Sequence, residues 1–189
     1  MNAFEPDIIH GHRSLFPVPL GEAASFEPEL ARRTAAAAAY EAAAAGIDWT
    51  FAPMVDIARD QRWGRAVEGA GEDVHLGNLF AAARVRGFQG ENLRAIDRML
   101  SCAKHLVAYG AAEGGLDYNT VDISERTLRQ VYLPPFRAAL NAGALSVMSA
   151  FNEISGIPSI ANPALLTGVL RDEWKFKGFV VSDYTADEE

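Results

Sequence analysis

The sequence predicts an α/β fold in which parallel strands alternate with helices. Helix-type and strand-type segments follow one another along all 189 residues, the order that a parallel sheet with helical crossovers requires. Several strand-type runs end abruptly in polar side chains, the last of them at Ser182-Asp183. Reactive groups at the carboxyl ends of parallel strands are typical of a TIM-type (β/α) barrel. Because a complete barrel takes about 250 residues, we expect an incomplete one.

The first half of the chain contains two predicted helices and one predicted strand. An alanine-rich helix should cover residues 27–45, because Pro28 suits a first helical turn and Gly46 suits the position after the last turn. Residues 47–57 form a strand candidate, and a second helix should cover residues 73–85. The apolar face of this second helix is expected to comprise Leu76, Leu79, Phe80 and Ala83.

The second half alternates strands with helices. Strands are expected over residues 100–108, over residues 145–151 and after Gly178. Ser124 should cap a helix that is interrupted near Pro134-Pro135 and resumes to Asn141, and Asn162-Pro163 should open another. The loops after the strands are long, and long loops in a compact domain are usually functional.

Composition and charge exclude several functional classes. The net charge of −8, from 17 basic and 25 acidic residues, argues against nucleic acid or an anionic membrane as a partner, because both require clustered Lys and Arg. No run approaches the roughly 20 apolar residues of a membrane span. The four histidines and the single Cys102 lack metal-ligand spacing, and no phosphate-binding loop is present, so we predict no metal and no cofactor.

Asp183 is the leading candidate for catalysis. It ends an apolar run whose Val180 and Val181 imply burial, and a buried carboxylate without partners is costly. Asp183 should therefore have cationic or donor groups around it. The competing interpretation is a helix N-cap, a common role for an Asp between a strand and a helix.

The pair Lys104-His105 ends another strand-type run. Adjacent strand residues point to opposite faces, so both side chains can reach one cavity only where the strand gives way to a loop. The alternatives are a surface lysine and a core histidine whose hydrogen bonds are satisfied. The apolar residues before the pair favour a functional role.

Two further segments contribute candidates. The densest polar cluster spans residues 59–73, and most of its arginines and carboxylates should pair with each other, which leaves one arginine free to aim into a cleft. Trp63 within it is either a stacking platform or, preferably, a core residue that anchors the loop. Near the amino terminus, Asp7 precedes an apolar pair, and the alternative for this segment is frayed terminal sequence.

Taken together, these motifs resemble the N-terminal barrel domain of glycoside hydrolase family 3, and most closely its bacterial periplasmic β-glucosidases. The matching runs are residues 16–20, 52–56, 59–65, 71–73, 104–105, 113–122, 132–136 and 182–183. They occur in order along essentially the whole chain. We therefore expect residues 1–189 to be part of such a domain, with a periplasmic or secreted location.

The resemblance implies a retaining exo-glycosidase that removes β-linked glucosyl residues from non-reducing ends. Asp183 matches the catalytic nucleophile. The residues that match the sugar-binding pocket are Asp7, Arg65, Lys104, His105 and Met148. Lys104 and Arg65 would favour the ionised form of the nucleophile. The expected partner is a β-linked oligosaccharide or glycoside.

The sequence also departs from the family pattern. The acid/base residue of the family's β-glucosidases comes from a downstream α/β domain, so we expect C-terminal domains to complete the site and this chain alone to be inactive. Asp187, Glu188 and Glu189 are not assigned that role. The first and last barrel strands are also missing, and Phe151 lacks a hydroxyl that some relatives carry. The alternatives are a non-catalytic sugar-binding module and a β-xylosidase-type relative.

Overall fold

The computed structural model of the chain describes residues 7–184. Within this range, a parallel sheet carries helices, and a two-stranded hairpin follows the second strand of the sheet. The strands are β1 (Cys102–Leu106), β2 (Ser146–Ser149), β3 (Glu153–Ile154), β4 (Ile157–Pro158) and β5 (Phe179–Val181). The helices are α1 (Pro19–Ala23), α2 (Pro28–Ala44), α3 (Val74–Gln89), α4 (Glu125–Thr127), α5 (Leu133–Asn141) and the π-type α6 (Ala164–Glu173). The prediction of an α/β fold with parallel strands is confirmed.

The sheet has the order β1-β2-β5, with β2 in the centre. Ala103 lies opposite Val147, which in turn lies opposite Val180, and both pairings are parallel. The carboxyl ends of the three strands therefore share one edge. Polar residues at this edge are brought together although they are far apart in the sequence.

The predicted strand over residues 47–57 lies beside β1 but is irregular. Backbone bonds join Thr50 N to Leu100 O at 3.0 Å and Val55 N to Lys104 O at 2.7 Å. Between these two contacts, Ala52 O accepts from Cys102 N at 2.8 Å and Pro53 O accepts from Lys104 N at 3.1 Å. Pro53 itself has no N–H to donate, so the bonding to β1 continues in an irregular pattern. The segment extends the sheet without forming a continuous strand.

The two long helices follow the sequence pattern with one error. Helix α2 places Pro28 in its first turn, and Gly46 follows with a φ of 83°. In α3, Asp73 accepts a hydrogen bond from Leu76 N at 2.7 Å, and the helix continues past the predicted end to Gln89. Leu79 is 43 % exposed, so its predicted place on the buried face is wrong. Helix α3 packs between α2 and α5, which buries a different stripe of its surface.

The predicted interruption of the helix near Pro134-Pro135 is wrong, because helical turns follow one another without a gap from Glu125 to Asn141. A π-type turn over Leu128–Tyr132 widens the hydrogen-bond register, and α5 then starts at Leu133 with both prolines in its first turn, where no N–H is required. Helix α6 begins where Asn162 Oδ1 accepts a bond from Leu165 N at 3.2 Å.

Strand β5 is less buried than its composition predicts. Val180 and Val181 are only partly buried, and Phe179 is 44 % exposed. Within residues 7–184, β5 has one neighbour in the sheet, β2, so its other edge is uncovered. In that same range, no helix combines the length and the apolarity needed to span a bilayer.

Candidate active site

One cleft at the carboxyl edge of the sheet is lined by all six residues that the family resemblance assigns to the site. Its volume is about 730 Å³. Of the predicted residues, the cleft is lined by Asp7, Arg65, Lys104, His105, Met148 and Asp183. The remaining lining comprises Phe51, Glu68, Tyr118, Phe151, Ser182 and Tyr184.

Asp183 follows β5, and its side chain is 13 % exposed. Its Oδ1 accepts a hydrogen bond from the backbone N–H of Tyr184 at 2.8 Å. Its Oδ2 is buried and accepts no hydrogen bond from residues 7–184, and the nearest cationic-type atom is His105 Nε2 at 3.5 Å. A helix capped by Asp183 would lie outside the described residues, as do Asp187, Glu188 and Glu189.

Lys104 is buried and paired with a carboxylate. Its side chain is 2 % exposed, and Nζ lies 2.5 Å from Asp7 Oδ1. The surface-lysine alternative is therefore wrong. Asp7 itself is half-exposed at the rim of the cleft.

The segment after Asp7 is anchored in the interior. Ile8 is buried, and its N–H donates to Thr50 Oγ1 at 3.1 Å. Arg84 donates from Nη1 to the carbonyl of Ile9 at 2.9 Å. These two hydrogen bonds hold the backbone of Ile8 and Ile9, which follow Asp7 directly. The alternative of a frayed terminus is therefore wrong for residues 7–9.

Arg84 and Glu22 form a buried ion pair behind this segment. Their side chains are 7 % and 4 % exposed, and Glu22 also accepts a bond from Thr34 Oγ1 at 2.5 Å. Burial lowers the pKa of the Arg84 guanidinium, while the attraction and the hydrogen bond of Glu22 oppose this change. This pair could not be predicted from the sequence, because its members are 62 residues apart.

His105 is held by Asp56, to which the sequence analysis assigned no role. Asp56 Oδ2 accepts the backbone N–H of His105 at 2.9 Å and lies 2.9 Å from ring atom Nδ1. Both side chains are 1 % exposed. Because Oδ2 already acts as an acceptor, Nδ1 carries the proton, and Nε2 is the ring atom directed toward Asp183.

Arg65 is the loop arginine that reaches the cleft. Its Nε and Nη2 donate to Glu68 at 2.6 Å and 2.9 Å, and its guanidinium lies 5.6 Å from the centre of the Tyr109 ring. Burial opposes the charge of Arg65, but the hydrogen bonds and the attraction of Glu68 outweigh it, so the pKa of the guanidinium is raised. Among the other charged members of the loop, Arg62 pairs with Asp60 at 2.6 Å, whereas Asp73 caps α3, so the predicted mutual pairing is only partly found.

The cations are arranged differently from the prediction around Asp183. Lys104 and Arg65 share its cleft, but each pairs with its own carboxylate, Asp7 or Glu68. The basic side chain that approaches the Asp183 carboxylate is His105, with Nε2 at 3.5 Å from Oδ2. The predicted site residues account for six of the twelve described residues that line the cleft, and the prediction missed how they pair.

Aromatic side chains form one wall of the cleft. Tyr118 is 65 % exposed, and its ring centre lies 5.0 Å from that of Phe151. Trp63 is 2 % exposed and donates from Nε1 to Asp117 at 2.9 Å, so it anchors the loop and is not a stacking platform. At the start of β1, burial raises the pKa of the Cys102 thiol to about 12. Among residues 7–184, no group of three or more His, Cys, Asp or Glu side chains is arranged to hold a metal ion.

Comparisons with known proteins identify the family of the chain. Residues 3–188 match the family described as "Glycosyl hydrolase family 3 N terminal domain". The chain is 46 % identical over 186 residues to a periplasmic beta-glucosidase of Salmonella typhimurium, covering 98 % of this chain and 24 % of that protein. It is 39 % identical over 178 residues to a beta-xylosidase of Formosa agariphila, covering 92 % of this chain and 25 % of that protein.

Solved structures of beta-glucosidases also resemble this chain. The crystal structure of a beta-glucosidase from Listeria innocua in complex with glucose matches with a TM-score of 0.91 at 48 % identity, covering 95 % of this chain and 25 % of that one. This chain thus spans about a quarter of the length of the relatives it matches. The chain belongs to glycoside hydrolase family 3 and carries the TIM-barrel-like α/β fold of that family's N-terminal domain.

Proposed function

We propose that the complete protein is a retaining, exo-acting β-glycosidase that removes terminal non-reducing β-D-glucosyl residues. The observation that carries the proposal is the position of Asp183. Its carboxylate lies in the cleft with one buried oxygen free of hydrogen bonds within residues 7–184, beside the polar side chains of Lys104, His105 and Arg65. The identity to relatives named beta-glucosidase supports the same activity.

In this proposal, the polar pairs around Asp183 bind the terminal sugar. Lys104 and Arg65 donate to its hydroxyl groups, and Asp7 accepts from them, because a site that recognises hydroxyls must present fixed donors and acceptors. Met148 lines the same pocket. A sugar lacking one of these hydroxyls would leave a buried polar group without a partner.

Asp183 then attacks the anomeric carbon. An oxygen of the carboxylate forms a bond to C1 as the glycosidic C1–O bond breaks, and the leaving oxygen takes a proton from a general acid. Water then attacks C1 of the glycosyl-aspartate and the bond between C1 and the Asp183 oxygen breaks, while the conjugate base of the same acid takes the proton of the water. Two displacements at C1 give net retention of the β configuration.

The general acid is not assigned to a residue of this chain. A retaining mechanism needs a second carboxyl group about 5–5.5 Å from the first. The other carboxylates that line the cleft, Asp7 and Glu68, are held by Lys104 and Arg65. We propose that the acid comes from a further domain of the complete protein and that this chain alone is inactive. The quarter-length coverage of relatives supports this.

A β-xylosidase is the second candidate, favoured by the 39 % identity to a relative of that name. A glucoside and a xyloside differ by a hydroxymethyl group, so the ratio of kcat/KM for the two p-nitrophenyl glycosides decides between them. A periplasmic or secreted location is part of the proposal, supported by the name of the Salmonella relative.

The experiment follows the first product by proton NMR, with the complete protein and p-nitrophenyl β-D-glucopyranoside. The proposal predicts β-glucose as the first anomer, which then mutarotates. Appearance of α-glucose first would contradict a retaining mechanism. Binding of glucose in calorimetry with no turnover of either glycoside would instead identify a sugar-binding module.

A further inference from the structure

We propose that Asp56 is a positioning residue for the glycosidase function inferred above, on which this assignment rests. Asp56 does not line the cleft. It acts through His105, whose ring it holds with Nε2 directed at Asp183. Neither the sequence motifs nor the resemblance gave Asp56 this role.

The contact between the two residues fixes the ring in two ways. One oxygen, Oδ2 of Asp56, receives both the backbone N–H and the ring Nδ1–H of His105, each at 2.9 Å. The backbone bond sets the position of the residue, and the ring bond sets the rotation of the imidazole. The same bond places the proton on Nδ1, so that Nε2 is presented to the cleft.

The backbone at Asp56 is itself held in place by close approaches of two loops. A Cβ on Gly69 would lie 2.9 Å from the Asp56 carbonyl oxygen, and a Cβ on Gly110 would lie 2.3 Å from that of Ile57. Glycine at both positions allows the loops to close on this segment. Asp56 is therefore a rigid support, with a side chain that is 1 % exposed.

The orientation matters because of what Nε2 faces. The Nε2 atom lies 3.5 Å from Asp183 Oδ2. Both residues line the cleft, so a sugar that meets the nucleophile also meets Nε2. A rotated ring would present carbon atoms, or the wrong nitrogen, to the sugar and to Asp183. The loss of a fixed geometry of this kind reduces catalysis even though the lost group never touches substrate.

The kinetic test is a double-mutant cycle in the complete protein, with p-nitrophenyl β-D-glucopyranoside as substrate. Asp56→Ala is expected to lower kcat/KM about 100-fold. In a His105→Ala background the same change is expected to alter kcat/KM less than about threefold, because the ring on which Asp56 acts is gone. A merely structural role would give the same loss in both backgrounds.

A spectroscopic readout separates this proposal from the proposed function. With ring-¹⁵N-labelled histidine and the H105A spectrum for assignment, the wild-type protein should show a proton on His105 Nδ1 that exchanges slowly with water. D56A should lose this signal, whether or not the protein hydrolyses glycosides. Absence of the wild-type signal, or its persistence in D56A, would overturn the assignment.

The controls cover folding and chemistry. Ser149→Ala removes a buried hydroxyl at the end of β2 that does not line the cleft, and kcat/KM should stay within about twofold of wild type.

If D56A does not fold, Asp56→Asn replaces it. A neutral amide oxygen accepts a hydrogen bond more weakly than a carboxylate, so this variant should lower kcat/KM about 10-fold. Wild-type kcat/KM in either Asp56 variant, or an undiminished loss in the H105A background, overturns the proposal.

Discussion

Lys104 and Asp7 are 97 residues apart in the sequence and form an ion pair of 2.5 Å in the cleft. The lysine comes from the regular strand β1, and the carboxylate comes from a segment without regular secondary structure near the amino terminus. The pair ties this segment to the sheet and leaves a cation beside the proposed sugar site. Its contribution can be measured separately from that of Asp183.

Asp7→Ala is expected to lower kcat/KM about 10- to 100-fold, because a hydrogen bond to a charged group is worth roughly 1.5–3 kcal/mol. The loss should appear mainly in KM, since in the proposal Asp7 binds the sugar and does not react. The matched control is Asp48→Ala, which removes an exposed carboxylate near the start of the irregular segment over residues 47–57 that does not line the cleft. Unchanged kinetics in D7A would remove Asp7 from the site.

Arg84→Met should strongly destabilise the fold. It leaves Glu22 buried without its cation, a change that typically costs about 3–5 kcal/mol in the free energy of unfolding. Replacing both members with apolar residues, in Arg84→Met with Glu22→Leu, should recover much of the loss. Urea unfolding checks both variants, and a shift below about 1 kcal/mol in R84M would show that the pair is not structurally important.

Gly110→Ala tests the close packing behind the cleft. The new Cβ would lie 2.3 Å from the carbonyl oxygen of Ile57, so the loop must move, at a cost of about 1–3 kcal/mol. Gly64→Ala is the control, because a Cβ there meets no atom within 4 Å. Urea midpoints should separate the two variants clearly. Equal stability would mean that the loop can relax without cost.

The sequence predicted which residues share the cleft better than it predicted which of them form ion pairs and hydrogen bonds with each other. Asp183 could be found because it follows an apolar strand-type run, and parallel strands bring such ends to one edge. Lys104 and His105 could be found because they are polar residues in an apolar run, although β1 continues past them to Leu106. Asp56 ends a run of the same kind. Its role was missed because its partner is 49 residues away, and spacing along the chain carries no information about that contact.

The errors in the fold have a similar origin. Leu79 was assigned to the buried face of α3 from periodicity, but which stripe is buried depends on where α2 and α5 pack. Residues 47–57 had the composition of a strand, and Pro53 removed the N–H that a regular ladder needs. Helix α2 was predicted well, because Pro28 and Gly46 act locally.

The most direct test of the account is covalent trapping of the nucleophile. The complete protein would be incubated with 2,4-dinitrophenyl 2-deoxy-2-fluoro-β-D-glucopyranoside, whose good leaving group permits the first displacement and whose fluorine slows the second. Peptide mass spectrometry then locates the sugar. We predict a fluoroglucosyl ester on Asp183 and none in Asp183→Asn. Labelling of any other carboxylate in the wild-type protein would contradict the central claim.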